Sequence, residues 1–161
     1  MSNDSLIILE KDSNRIDERL KKLLKGSEAK CALLVDKDGY LITRQGFTHS
    51  LDTTALAALL AGSFASTKEI AKLVGEPEFS VLFHQGKKDH IHMCIVGERS
   101  ILAVIFDDRT TIGMVRLYAR EAAVELTEIL QKIQNRGGSQ EGLSDEFADK
   151  ANEKMDDIFQ D

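Results

Sequence analysis

Tryptophan is absent from the 161 residues, proline occurs once and cysteine twice, and no low-complexity tract interrupts them. That scarcity excludes collagenous, mucin-like and wholly disordered chains. No apolar run approaches the ~20 residues of a membrane-spanning helix; Ile101–Phe106 is the size of a strand. The N-terminal MSNDSLIILEKD carries acids and no basic lead-in, which argues against a signal peptide. Cys31 and Cys94 are too few for a disulfide framework, and both lie in apolar runs. They are expected as small buried thiols of a cytoplasmic protein.

An excess of positive charge is missing too. The net charge is −6, and residues 137–161 carry all of it, with eight acids and two bases; the preceding 136 residues are balanced. A neutral body has no electrostatic footprint for nucleic acid or an anionic membrane. The acidic tail suits a basic protein surface instead. A composition 42% hydrophobic and 30% charged suits one compact domain, residues 1–136, followed by a flexible acidic tail, residues 137–161.

Hydrophobic spacing orders the body as α-β-β-α-β-β-β-α. Leu9, Ile16, Leu20, Leu23 and Leu24 predict a helix over about 6–25, ended by Gly26. Lys30–Asp36 and Tyr40–Arg44 read as strands joined through Asp38-Gly39, a strong hairpin signal. A second helix starts at Asp52, a good N-cap, and runs to about Val74. Ala55, Ala57, Ala58, Ala61, Gly62, Ser63, Ala65, Ser66 and Ala71 crowd it, and no charge falls between Asp52 and Lys68. Such a helix is either buried centrally or lies in an interface where another backbone comes close.

Glu78–Gln85, Asp89–Val96 and Ser100–Phe106 follow as strands, the last apolar on both faces and so covered on both. A final helix over about 110–135 keeps its phase through Val115, Ala119, Ala122, Leu126 and Ile133. Arg136-Gly137-Gly138-Ser139-Gln140-Glu141-Gly142 is expected as a flexible break. Beyond it Leu143, Phe147, Ala151, Met155, Ile158 and Phe159 return at amphipathic helical spacing. These elements make an α/β sandwich around one five-stranded antiparallel sheet.

Signatures of chemistry are lacking. There is no phosphate-binding loop, dinucleotide fingerprint, nucleophile elbow or zinc-protease helix, and the EF-hand pattern fails after Asp36-Lys37-Asp38. His90, His92 and Cys94 share one strand face, but neighbours there are ~7 Å apart. The outer two cannot hold one ion whose ligands lie at ~2.0–2.3 Å. Histidines packed on a sheet face are the simpler reading, also for His49 and His84. No carboxylate pair is placed for acid–base work, so no active site, metal or cofactor is expected.

Four segments within Ala29 to about Leu130 resemble the Roadblock/LC7 family, and more narrowly its bacterial MglB-type members. They are Leu34-Val35-Asp36-Lys37-Asp38-Gly39, Leu51-Asp52-Thr53-Thr54-Ala55-Leu56-Ala57, Phe83-His84-Gln85-Gly86, and Val104-Ile105-Phe106-Asp107-Asp108-Arg109-Thr110. The tail, with Phe147-Ala148 and Asp156-Asp157-Ile158-Phe159, is similar as well. The resemblance implies a homodimer in which second helices pack together and sheets join edge to edge. It also implies a small Ras-like, MglA-type GTPase as partner, bound in its GTP form, whose hydrolysis is promoted by repositioning the GTPase's own residues. Cell polarity or gliding motility would be the setting, in the cytoplasm with recruitment to a pole.

By position, the resemblance places partner contacts on Ala58, Gly62, Ala65, Ser66, Glu69 and Lys72, with Phe147, Ile158 and Phe159 as a second contact. Arg44, Arg99 and Arg109 are the arginines near loop ends, and none has a pattern that supports a finger given in trans. The alternative is a Roadblock adaptor that scaffolds another protein complex; a small-molecule sensor is a weaker third reading.

Overall fold

The computed structural model describes the backbone of residues 10–159 and the side chains of residues 10–136. The elements are α1 (Glu10–Ser27), β1 (Cys31–Asp36), β2 (Leu41–Gly46), α2 (Thr53–Val74), β3 (Val81–Gln85), β4 (His90–Val96), β5 (Ser100–Phe106) and α3 (Ile112–Phe159). The expected order holds. Leu9, assigned to the first helix, lies outside the described residues.

One five-stranded antiparallel sheet runs β2-β1-β5-β4-β3, so the last strand made is the central one. All seven residues of β5 are buried, as expected for a strand apolar on both faces. Pleating sends Ala32, Leu34, Leu102, Val104 and Phe106 to a cluster under α1 and α3. It sends Leu33, Val35, Ile101, Ala103 and Ile105 to a second cluster under Ala57, Leu60 and Phe64 of α2. Each valine, leucine, isoleucine or phenylalanine among them contributes ~1.5–3 kcal/mol by leaving water, and each alanine less. Cys31 belongs to the second cluster and Cys94 to the first, both as free buried thiols. Burial pushes their pKa up to about 11 and about 12, which keeps both protonated and inert.

Capping follows sequence closely at α2. The Asp52 carboxylate accepts the Ala55 N–H at 3.0 Å, and Gly75, at φ +82°, ends the helix in the left-handed region. The end of α1 differs from expectation. Gly26 is still helical, and Glu28 takes the positive φ of 60°. A Cβ at Gly26 would overlap the Tyr118 ring, so this glycine serves the close crossing of α1 and α3 rather than a helix stop. Pro77 lies just ahead of a β3 that begins at Val81, three residues later than the apolar pattern suggested. Proline has no N–H to give a ladder.

At the start of α3 the Thr111 hydroxyl accepts the Met114 N–H, whereas Asp107 turns to Arg109. The helix then runs through Arg136–Gly142, where composition predicted a break. Arg19–Glu125 and Arg136–Asp12 ion pairs tie α3 to α1.

Candidate functional site

Helix α2 sits on β1 and β2 and buries one narrow stripe, Thr53, Ala57, Leu60, Ala61, Phe64 and Ala71. Its opposite face is bare. Ala58, Gly62, Ala65, Ser66, Glu69 and Lys72 are all exposed there, so the structure brings the six predicted helix positions together on one accessible surface. Phe147, Ile158 and Phe159 lie beyond the residues whose side chains are described.

Gly62 is the informative residue. It lies in mid-helix, and a Cβ built there meets nothing within 4 Å. A helical glycine costs ~0.5–1 kcal/mol relative to alanine, and no neighbour within this chain requires one here. Its small size leaves room for something that comes from outside.

Sequence reasoning missed the apolar members of the same face. Leu59, Ile70, Leu73 and Val74 are 70%, 51%, 87% and 63% exposed. Leu59, Ser66 and Leu73 recur every seven residues, two turns apart, out of phase with Leu60, Phe64 and Ala71. That phase was the available signal. An exposed apolar strip around a small-residue centre is the pattern of a docking helix.

Charge enters only toward the C-terminal half. Lys72 Nζ lies 3.1 Å from Glu69 Oε1, with both groups largely solvated, so Glu69 is a paired surface charge. Exposed pairs at this spacing contribute only a few tenths of a kcal/mol.

A cavity of about 240 Å³ opens between this half of α2 and the turn joining β4 to β5. Phe64, Phe79, Ile95 and Ile101 give it an apolar lining, and Lys37, Lys68 and Arg99 share it with Glu78 and Glu98.

At the sheet's two edges the character differs. The outer strand β3 pairs only with β4 and exposes Val81 (41%) and Phe83 (40%), whereas β2 carries the polar run Thr43-Arg44-Gln45, in which Thr43 bonds Asp17 of α1 and Arg44 bonds Thr53 of α2. An open apolar edge is a template for pairing with another strand.

Two of the histidines, His90 and His92, serve packing, whereas His49 and His84 are exposed rather than packed on a sheet face as expected. His90 lies beside Phe106, ring centroids 5.2 Å apart, and accepts the Gly86 N–H at Nδ1. His92 is 3% exposed, and desolvation, aided by the Arg116 charge, lowers its pKa to about 4, so it is neutral in the fold. Among the described residues no group of three His, Cys, Asp or Glu side chains is placed to hold a metal ion. Among them, too, no helix is long and apolar enough to cross a membrane.

The three arginines near loop ends are engaged within the chain. Arg44 donates to the Thr53 hydroxyl at 2.6 Å, Arg99 lies 3.7 Å from Asp38, and Arg109 forks onto Asp107. That fork holds the Asp107 carboxyl below its ordinary range.

Comparison with known proteins agrees with this architecture. Myxococcus xanthus MglB is 47% identical over 73% of this chain and 96% of its own, with a TM-score of 0.71. The gliding protein MglB of Thermus thermophilus is 29% identical over 81% and 99%, with a TM-score of 0.75. An MglB solved in a tetrameric arrangement is 29% identical over 82% and 99%, with a TM-score of 0.77. No curated protein sequence matches the chain. The sequence profile of the Roadblock/LC7 domain matches residues 15–106, more than half of the chain. The chain belongs to the Roadblock/LC7 domain family, and its fold and sequence are similar to those of MglB proteins.

Proposed function

We propose that the protein is a regulatory homodimer that binds a small Ras-like GTPase of the MglA type and promotes its GTP hydrolysis, in control of cell polarity or motility. The single observation that carries this reading is the bare, small-residue face of α2 around Gly62. The likeness to MglB proteins, one of them named as a gliding protein, supports a regulator of motility, and the class of partner is the one that the family resemblance implies.

Activation proceeds through the partner's own catalytic groups. A finger arginine given in trans contributes ~10³–10⁵ in rate, but Arg44, Arg99 and Arg109 are each committed to a neighbour in this chain. The dimer instead binds the GTPase conformation already aligned for hydrolysis more tightly than the misaligned one. A tenfold preference lowers the barrier by ~1.4 kcal/mol. Ala58, Gly62, Ala65 and Ser66 allow the close approach, Leu59 and Leu73 add apolar anchors, and Glu69 and Lys72 set charge at one end. Phe147, Ile158 and Phe159 of the tail form a second contact. The apolar β3 edge, with Val81 and Phe83, supports joining of two copies. The protein acts in the cytoplasm and is recruited to a cell pole.

The test is phosphate release from an MglA-type GTPase with and without the protein, and with the chain ended at residue 136. Acceleration by full-length protein is expected. Binding without acceleration would favour the adaptor reading, and no binding would refute both for this partner.

A further inference from the structure

We propose that the cavity beside α2 is a seat for the chain's own C-terminal residues, Asp156-Asp157-Ile158-Phe159-Gln160-Asp161, donated by a second copy. The cavity holds about 240 Å³ against Phe64, Phe79, Ile95 and Ile101. An apolar cavity of about 150 Å³ accepts benzene, so a phenyl ring and part of a branched aliphatic side chain fill this one. The terminus offers that pair, Ile158 and Phe159, between acids.

Charge placement matches. Lys37 and Lys68 line the cavity and have no ion-pair partner among the described residues. Asp156, Asp157 and Asp161 supply carboxylates on either side of the apolar pair. Glu78 and Glu98 also line the cavity, and with Arg99 the lining holds three cationic side chains to two carboxylates.

The path of the chain favours a donor from another molecule. Gln134 and Asn135 of α3 line a cavity with Glu98, Arg99 and Ser100, and those three residues also line the cavity beside α2. Helix α3 therefore leaves the body past the same β4–β5 turn, on the face of the sheet opposite α2 and the seat, and continues to Phe159. At 1.5 Å per residue that end stands about 35 Å beyond Arg136, out of reach of its own cavity and free to meet another. Because Ala65 also lines the cavity, a seated terminus covers part of the surface proposed for the GTPase.

The inference is tested without any GTPase. A fluorescent peptide of residues 143–161 is titrated into the full-length protein and followed by anisotropy. Saturable binding is expected, weakened about tenfold by Lys68→Glu in the protein or Phe159→Ala in the peptide, and weakened further by salt. Sedimentation of the full chain is expected to show species above the dimer that grow with concentration and vanish in Phe159→Ala. Absence of saturable binding, unchanged affinity in Lys68→Glu, or identical sedimentation of wild type and Phe159→Ala would overturn it.

Discussion

Replacing Gly62 separates what the fold needs from what a partner needs. Nothing within 4 Å meets a Cβ at this position, so Gly62→Ala adds a methyl group to open space. Alanine in place of a mid-helix glycine stabilises a helix by ~0.5–1 kcal/mol. For a chain of this size that raises Tm by about 1–4 °C. Gly62→Arg keeps good helix propensity and is also expected to fold, since its side chain projects into solvent. The long cation then blocks any backbone that approaches α2 closely, and affinity for an MglA-type GTPase should fall at least 100-fold, ~2.8 kcal/mol. Thermal melts at one fixed protomer concentration, together with calorimetric titration of the GTP-loaded partner, read both effects. A lower Tm for Gly62→Ala would mean that the fold, or the packing of α2 against a second copy, needs this glycine. Wild-type affinity in Gly62→Arg would refute the docking surface.

Other expected outcomes follow from the same geometry. Ala65→Arg should abolish GTPase binding while far-ultraviolet circular dichroism stays unchanged; retained binding would place the interface elsewhere. Gly26→Ala should destabilise the fold by ~1–3 kcal/mol in denaturant unfolding, because the new methyl overlaps the Tyr118 ring; a neutral result would show that the crossing relaxes freely. Phe83→Lys on the open edge should shift light scattering from dimer toward monomer, and an unchanged mass at low micromolar concentration would exclude that edge from pairing. His92 has a folded pKa near 4 against an ordinary 6.5, so the unfolded chain takes up its proton first. Its contribution is intact above pH 6.5 and is lost between there and about pH 4, at no more than ~1.4 kcal/mol per pH unit. The stability–pH slope in this window should flatten in His92→Leu; an unaltered slope would assign the effect to other groups.

The elements that could be read from sequence were those whose cause is local. Asp38-Gly39 announces the first hairpin, Asp52 caps α2, and the unbroken apolar run of β5 requires cover on both faces. The six helix positions of the candidate surface came from the family resemblance, whereas the missing charge in the middle of α2 marked only a helix that is central or in an interface. Leu59 and Leu73 were overlooked because leucine alone does not declare which way it faces, and only the phase set by Leu60 and Phe64 assigns it. Gly26 was misread because its reason is a ring contributed by α3, remote in the chain. The cavity beside α2 was invisible for the same reason, being assembled from a helix, a turn and the approach to β3.

The strand order β2-β1-β5-β4-β3 has a consequence for how the protein is made. On a ribosome the two flanking hairpin halves emerge first, yet neither can join the other until the central ribbon is threaded between them. A nascent polypeptide halted before Ser100 would hold two unjoined pieces with their greasy sides open. Synthesis past Phe106, rather than any early segment, is the commitment step for this molecule.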